Sequence, residues 1–158
     1  MSLKLIKKKF GRRRFLSLKK VQSFVDWKIE LAELIDWIEK NTRYQRVGTD
    51  VYFYISENFK IEALMIEVMG MPEIPDTNAF TVVDFESEYC LQLDSIKDQF
   101  EFTPQSLLDW AQSCKTRLDS ALLSGQKSSL CDFFLIVFNH EKLALQFFSK
   151  NDYIQKRP

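Results

Sequence analysis

The first stretch with a clear hydrophobic period is helical. From Val21 onward, apolar residues recur every three or four positions, which is the repeat of a helix with one buried face. The stripe is broad, so we expect a helix near residues 18–41 that packs on a wide apolar surface. Ser17 is its predicted N-cap and Asn41 its predicted end, since short polar side chains suit both positions.

A second helix is predicted after Thr103. This residue is a good N-cap, and Pro104 fits the first helical position, where no backbone N–H is needed. Apolar side chains then return at helical spacing until Gly125, a residue type that commonly follows a last turn. The polar residues 126–129 are predicted to form a loop.

Runs of aromatic and β-branched residues predict the strands. These runs are Val51–Ile55, Phe80–Phe85, Tyr89–Asp94, Phe133–Phe138 and Leu143–Phe148. Residues 59–69 fit both a strand and a helix, and the polar turn before them favours the strand of a hairpin. Polar residues 86–88 and 139–142 predict turns, residues 70–78 predict a loop, and residues 151–158 predict a frayed end.

The predicted elements follow the order α-β-β-β-β-α-β-β, which indicates the α+β class. Strands joined by short turns pair antiparallel. We therefore expect a single, mostly antiparallel sheet of about six strands, with the two main helices packed on one face. Residues 1–158 form a single globular domain in this interpretation, and residues 1–20 are its basic N-terminal segment.

The composition changes this picture little, because it is that of an ordinary globular protein. The chain has 158 residues, of which 46% are hydrophobic and 28% charged, enough for one self-supporting core. No apolar run approaches the roughly 20 residues that a membrane-spanning helix needs. The three cysteines, Cys90, Cys114 and Cys131, show no metal-binding spacing, which favours apolar thiols in a reducing, cytoplasmic compartment.

Recognisable catalytic and cofactor chemistry is missing from the sequence. The four glycines lie far apart, whereas phosphate-binding loops need clustered glycines that let the backbone approach the anion. The single histidine, His140, lacks the partners of a two-histidine metal site or of a nucleophilic catalyst. We therefore expect no cofactor, no metal site and no catalytic residue, and an enzyme that works with carboxylates alone is a further alternative.

Charge is distributed very unevenly along the chain, and this is the strongest functional signal. The first twenty residues hold nine of the 22 basic residues and no acidic residue, whereas the remainder holds 13 basic and 22 acidic residues. The basic segment either lies on the acidic body of its own or a sister chain, or contacts nucleic acid, an anionic membrane surface or another protein. The candidate nucleic-acid or anion contacts, within residues 4–20, are Lys7, Lys8, Lys9, Arg12, Arg13 and Arg14.

The acidic body indicates the preferred function, that of a non-enzymatic protein-binding module. A small inhibitor, an immunity protein or an adaptor would use such a surface to attract another protein, one with a basic surface. The candidate contact residues are Glu86, Glu88, Asp94 and Asp98. Association with nucleic acid through the basic segment is the alternative function, and formation of a homodimer is left open.

The basic segment also carries apolar side chains, and these predict how it packs. Attraction to the acidic body and the tendency of apolar residues to leave water favour the same outcome. We therefore predict that Phe10 and Phe15 are buried and that several basic side chains of the segment lie beside carboxylates. The aromatic residues are expected to contribute more than the exposed ion pairs, each of which is worth about 0–1 kcal/mol.

Overall fold

The computed structural model describes residues 3–18, 27–40, 44–70, 80–95, 103–122, 124–139, 142–151 and 154–156. Within these residues the chain forms eight strands and three helices. In chain order they are β1 (Leu3–Leu18), α1 (Trp27–Lys40), β2 (Tyr44–Arg46), β3 (Val51–Ile55), β4 (Ile61–Gly70), β5 (Phe80–Ser95), α2 (Pro104–Ala121), α3 (Ser124–Ser129), β6 (Leu130–Phe138), β7 (Leu143–Ser149) and β8 (Ile154–Lys156).

Six of the strands form a closed antiparallel barrel. Their order around the barrel is β1-β4-β3-β6-β7-β5, and β5 pairs again with β1. Strand β2 extends the sheet beside β4, and β8 lies beside β5. The predicted single open sheet with both helices on one face is therefore wrong, although the chain does combine helices with antiparallel strands.

Closure of the barrel depends on the basic N-terminal segment, which is a strand. β1 runs for 16 residues beside β5, from the pair Leu3–Ser95 to the pair Leu18–Phe80. Its last residues also pair with β4, so β1 joins the two ends of what would otherwise be an open sheet. The sequence pattern hid this strand, because lysine is depleted in strands and the charges interrupt the apolar alternation.

β5 replaces two predicted strands and the turn predicted between them. It runs from Phe80 to Ser95 without a break at residues 86–88, so that turn is wrong. Ser87 pairs with Gly11 of β1, whose φ of +79° is a conformation that glycine adopts easily. The long β1–β5 ribbon therefore continues through the polar residues.

Two apolar layers form on the two faces of the barrel wall. Along β3, Tyr52 packs in one cluster, whereas Val51 and Phe53 pack in the other, as the alternation of side chains along a strand requires. The cluster of Val51 and Phe53 also contains residues of α1 and α2, so it is the outer layer of the barrel. The cluster that contains Tyr52 fills the barrel interior. The buried interior residues are Phe10, Phe15, Tyr52, Met65, Val83, Phe85, Cys90, Leu135, Val137 and Phe148.

α2 confirms the predicted second helix, including its start. Thr103 Oγ1 accepts a hydrogen bond from the N–H of Ser106 at 3.1 Å, and Ser106 Oγ accepts one from the N–H of Thr103 at 2.9 Å. This reciprocal cap fixes the first turn, which begins at Pro104. The helix ends at Ala121, and α3 occupies residues where the sequence predicts a loop, so the loop prediction is wrong.

The first predicted helix is confirmed within the described residues. Among the described residues α1 begins at Trp27 and ends at Lys40. Ser17 is not its N-cap, because this residue lies in β1, where it pairs with both β4 and β5. The predicted end at Asn41 lies outside the described residues.

The other strand predictions are largely confirmed. β3, β6 and β7 contain the predicted runs, and Asn139 and Lys142 join β6 to β7 by backbone hydrogen bonds in both directions. Residues 61–70 form β4, which confirms the strand interpretation of the ambiguous segment. Residues 154–156 form β8, so the expectation of a frayed end is wrong there. The predicted loop at residues 70–78 lies outside the described residues except for its first residue, which ends β4.

Candidate functional site

Strand β1 divides into two halves with different surroundings. Residues 14–17 pair with β4 on one side and with β5 on the other. Residues 3–13 pair with β5, and no other described strand lies along their second edge. We call residues 3–12 the open half of β1 and residues 13–18 the closed half.

Aromatic packing anchors β1 inside the barrel. Phe15 is 0% exposed and meets Tyr52 and Phe85 edge to face, with ring centroids 4.8 and 5.3 Å away. Phe10, in the open half, is 6% exposed, and its ring centroid lies 4.9 Å from that of Phe148. These contacts confirm that both phenylalanines are buried, and edge-to-face pairs add stability beyond the area they bury.

Arg14 is held by a bidentate ion pair. Its Nε donates to Oδ1 of Asp84 at 2.7 Å, and its Nη2 donates to Oδ2 at 2.9 Å. Asp84 is 8% exposed and lies directly opposite Arg14 in the sheet register. The two parallel hydrogen bonds fix the geometry of the pair as well as its charge. Arg12 reaches the same carboxylate at 4.0 Å, but its side chain is 63% exposed.

Arg13 contacts residues of the barrel interior. Its guanidinium carbon lies 4.3 Å from the ring centroid of Phe10, and its Nη1 donates to the Tyr52 hydroxyl at 3.2 Å and lies 3.6 Å from Oε1 of Glu67. Burial raises the pKa of Tyr52 to about 12. Burial also raises the pKa of the Glu67 carboxyl, because its desolvation outweighs the attraction of Arg13. The predicted proximity of basic side chains to carboxylates is thus confirmed for Arg13 as for Arg14.

Four of the six predicted anion contacts face solvent on the open half. They are Lys7, Lys8, Lys9 and Arg12. The Lys7 Nζ lies 4.4 Å from the ring centroid of Tyr89, a cation–π contact on the protein surface. The other two predicted contacts belong to the closed half and already interact with carboxylates of the protein.

The described acidic contact candidates all lie on β5. Glu86 is half-buried opposite Arg12, and Glu88 is exposed. Asp94 is half-buried, and its Oδ1 accepts a hydrogen bond at 2.7 Å from a neighbouring glutamine amide. The fourth candidate, Asp98, lies outside the described residues. The structure therefore places the acidic candidates on the strand that pairs with the basic segment.

The residues that hold Arg13 and Arg14 were not predicted from the sequence. Tyr52, Glu67 and Asp84 come from three different strands, and barrel closure brings them to β1. The ion pair of Asp84 could have been anticipated, because Asp84 is the single carboxylate in the apolar run FTVVDF. A buried charge in such a run needs a partner.

The cysteines lie in apolar surroundings. Burial raises the pKa of Cys90 and of Cys114 to about 11, so both thiols are protonated at neutral pH. Cys131 is half-buried, and burial raises its pKa as well. His140 lies outside the described residues. Across the described ranges, no group of three His, Cys, Asp or Glu side chains could hold a metal ion.

Comparisons with protein-family models, with curated proteins and with solved structures find no match to this chain. In the described ranges no helix is both long and apolar enough to cross a membrane. Among the described residues, the open half of β1 combines an edge of the sheet with a concentration of charge.

Proposed function

We propose that the protein is a non-enzymatic binding module that recognises an acidic, extended segment of another protein. The segment adds as a further strand beside the open half of β1. One observation supports this most directly. The half of β1 that has an edge without a described neighbouring strand also carries the exposed side chains of Lys7, Lys8, Lys9 and Arg12.

The backbone of the open half supplies the affinity in this proposal. Every second residue of an antiparallel edge strand turns its N–H and C=O groups outward. An extended peptide pairs with these groups as a strand of the protein would, and its side chains then contact those of the edge. The open half spans residues 3–12, which is longer than an average strand.

The side chains of the open half supply the selectivity. Lysines on an edge strand repel the basic edge of a second copy of the chain, which protects against unwanted pairing. The same lysines attract a strand that carries carboxylates, and this attraction also speeds association. Leu5 is 40% exposed and adds an apolar contact. A strand that alternates acidic and apolar residues therefore matches the open half.

This proposal keeps the class of function favoured by the sequence but moves the contact surface from acidic to basic residues. β1 carries seven basic residues, and β5 beside it carries four acidic ones. The Glu86 carboxylate lies opposite Arg12, so part of its charge is balanced within the protein. A partner that approaches the ribbon consequently meets a net positive surface.

Nucleic acid is a second candidate partner, because phosphates are attracted by the same exposed cations. Lysines neutralise phosphates without reading bases, so such binding would be weak, dependent on salt and indifferent to sequence. A backbone edge that no described strand covers gives a phosphate chain no further complementarity, whereas it gives a peptide a full set of hydrogen bonds. This difference favours the protein partner.

A peptide-binding titration separates the two partners. The probe is a peptide of about nine residues with alternating Glu and Val, the length of a long strand. Its control is the same peptide with every backbone amide N-methylated, which keeps the charge and removes the donors. We expect the unmodified peptide to bind at least about tenfold more tightly than the control and than single-stranded DNA of equal charge. Equal affinity of the two peptides, or tighter binding of the DNA, would overturn the proposal.

Two triple variants with the same change of charge test whether the peptide binds at the open half of β1. One replaces the lysines at positions 7–9 with Gln. The control replaces three exposed lysines elsewhere with Gln, namely Lys28, Lys60 and Lys150. Peptide affinity is expected to fall about tenfold or more in the first variant and to stay within about twofold in the control. An equal loss in both variants would show that net charge, not the open half, attracts the peptide.

A further inference from the structure

The described side chains fill the barrel interior along most of its length and leave space at one end, which we call the mouth. A cavity of about 620 Å³ lies there, between β1, β3, β4 and β5. This volume falls in the range of sites for small organic molecules, which in barrels are often at the mouth. The cavity is lined by residues near the end of the closed half of β1, beyond Phe15, so it is separate from the open half.

The cavity exists because the chain places small side chains at inward positions. Phe15 and Met65 point into the interior cluster, and the residues two positions further along those strands toward the mouth are Ser17 and Ala63. Since side chains two apart lie on the same face of a strand, these small residues also face inward. Where the rest of the interior holds large apolar groups, the mouth holds a hydroxyl and a methyl group.

A β-bulge brings one carboxylate to the rim of the cavity. Tyr54 pairs with Ala63 and Ile55 pairs with Ile61, so Glu62 is an extra residue in β4 without a partner of its own in β3. Bulges commonly redirect a side chain beside a binding site. Glu62 lines the cavity and is the charged residue among the described lining residues.

Two aromatic rings, several hydroxyl groups and three further apolar side chains form the rest of the described lining. Tyr54 and Phe85 both line the cavity, and their ring centroids are 6.3 Å apart with an interplanar angle of 52°. Phe133 stacks on Tyr54 with ring centroids 4.9 Å apart. Ser17 and Thr81 add hydroxyl groups that can donate or accept hydrogen bonds. The wall therefore offers aromatic faces, neutral polar groups and one negative charge.

We propose that this mouth cavity binds a small aromatic amine. The flat apolar body lies against Tyr54 and Phe85, where ring faces also favour a nearby cation. The ammonium group faces the carboxylate of Glu62, and the hydroxyls of Ser17 and Thr81 meet polar substituents. A small aromatic acid fits the same space but places its negative charge beside Glu62, so the site distinguishes the two by charge.

The test uses tyramine and 4-hydroxyphenylacetate, which share a ring and differ in charge. Each is titrated into the full chain while backbone amide shifts are followed by NMR. Tyramine is expected to shift the amides of Ser17, Tyr54 and Thr81 saturably, with a dissociation constant on the order of 1 mM for so small a ligand. The acid is expected to bind at least about tenfold more weakly. Absence of saturable shifts around the cavity, or equal affinity of the two probes, would overturn the proposal.

Substitutions then test whether the preference for tyramine over the acid arises in the cavity. Glu62→Gln should reduce the preference for tyramine to within about twofold, whereas Glu33→Gln, at an exposed position on α1, should leave it unchanged. Ala63→Leu should fill the space and weaken both probes. If Glu62→Gln kept the full preference for tyramine, the carboxylate of Glu62 would not be what selects the amine. Because Glu62 is exposed, this variant should fold and can be measured even if Ala63→Leu disturbs folding.

Discussion

The two halves of β1 both carry basic residues and no acidic ones, but they have different surroundings. In the closed half, Arg13 and Arg14 contact Glu67 and Asp84, and strands flank the backbone of residues 14–17 on both sides. In the open half, the lysines at positions 7–9 are exposed, and only one described strand flanks the backbone. The same residue chemistry thus stabilises the barrel in one half and is available to a partner in the other.

What separates the two halves is the number of neighbouring strands. Where β4 lies beside β1, Arg13 and Arg14 are half-buried, so their cations need carboxylates at fixed positions. A strand at an edge leaves its cations hydrated, and exposed pairs then contribute little to folding. Net charge alone therefore does not tell which basic residues of a segment are structural and which can bind.

The largest difference is expected between the fully buried Phe15 of the closed half and the exposed Leu5 of the open half. Phe15→Ala removes a fully buried ring and should lower the free energy of unfolding by about 3–5 kcal/mol. Leu5→Ala, at a position 40% exposed, should cost less than about 1 kcal/mol. Urea unfolding followed by circular dichroism measures both values. Similar costs for the two variants would erase the distinction between the halves.

A smaller effect is expected from the ion pair of the closed half. Asp84→Ala leaves the Arg14 guanidinium without its bidentate partner and should cost about 2 kcal/mol, between the values for exposed and fully buried pairs. The matched control is Asp36→Ala, which breaks the exposed pair with Lys40 and should change stability little. The same unfolding experiment compares them, and an equal response would mean that the buried pair does not help to hold β1.

The carboxylate beside Arg13 should make a modest, pH-dependent contribution. Because burial raises the pKa of Glu67 in the folded protein, folding favours its protonated form. Its contribution to stability is therefore present below the unfolded pKa and is lost as pH rises through the folded pKa. The stability of the wild type relative to Glu67→Gln should therefore fall over the pH interval that begins near the ordinary glutamate pKa of about 4.3 and extends upward. A rise over this interval would mean that Arg13 outweighs desolvation.

The smallest effect on stability is expected in the open half. Replacing the lysines at positions 7–9 with Gln should change the free energy of unfolding by no more than about 0.5 kcal/mol, as for other surface substitutions. The same variant is expected to lose peptide binding. A large loss of stability would show that these lysines serve the fold, and the binding result could then no longer be assigned to a surface.

Elements with a strong local signal could be predicted from the sequence. The N-cap at Thr103 and the apolar runs of β3, β6 and β7 depend on residues close together in the chain. Barrel closure depends on distant residues instead. Arg14 pairs with Asp84, seventy positions away in the chain. The hydrophobic period of a short segment cannot predict such a pairing. The charged pattern of β1 also conceals the alternation that marks a strand.

The candidate site could be predicted only in part for the same reason. The charge asymmetry identified the basic segment, and its apolar content correctly predicted that Phe10 and Phe15 are buried. The sequence did not separate the exposed lysines at positions 7–9 from Arg13 and Arg14, because that distinction requires the position of β4. Nor did it indicate the mouth cavity, whose small side chains come from different strands.

Amide hydrogen exchange along β1 tests the central claim most directly. In the closed half, residues 14–17 pair on both sides, so every amide there should be protected. In the open half, amides directed toward β5 should be protected, and the alternate amides should exchange rapidly. This alternation between residues 5 and 12 is the result expected of an open edge. Uniform protection of both halves would contradict the account, because it would mean that another segment already covers the edge assigned to the partner.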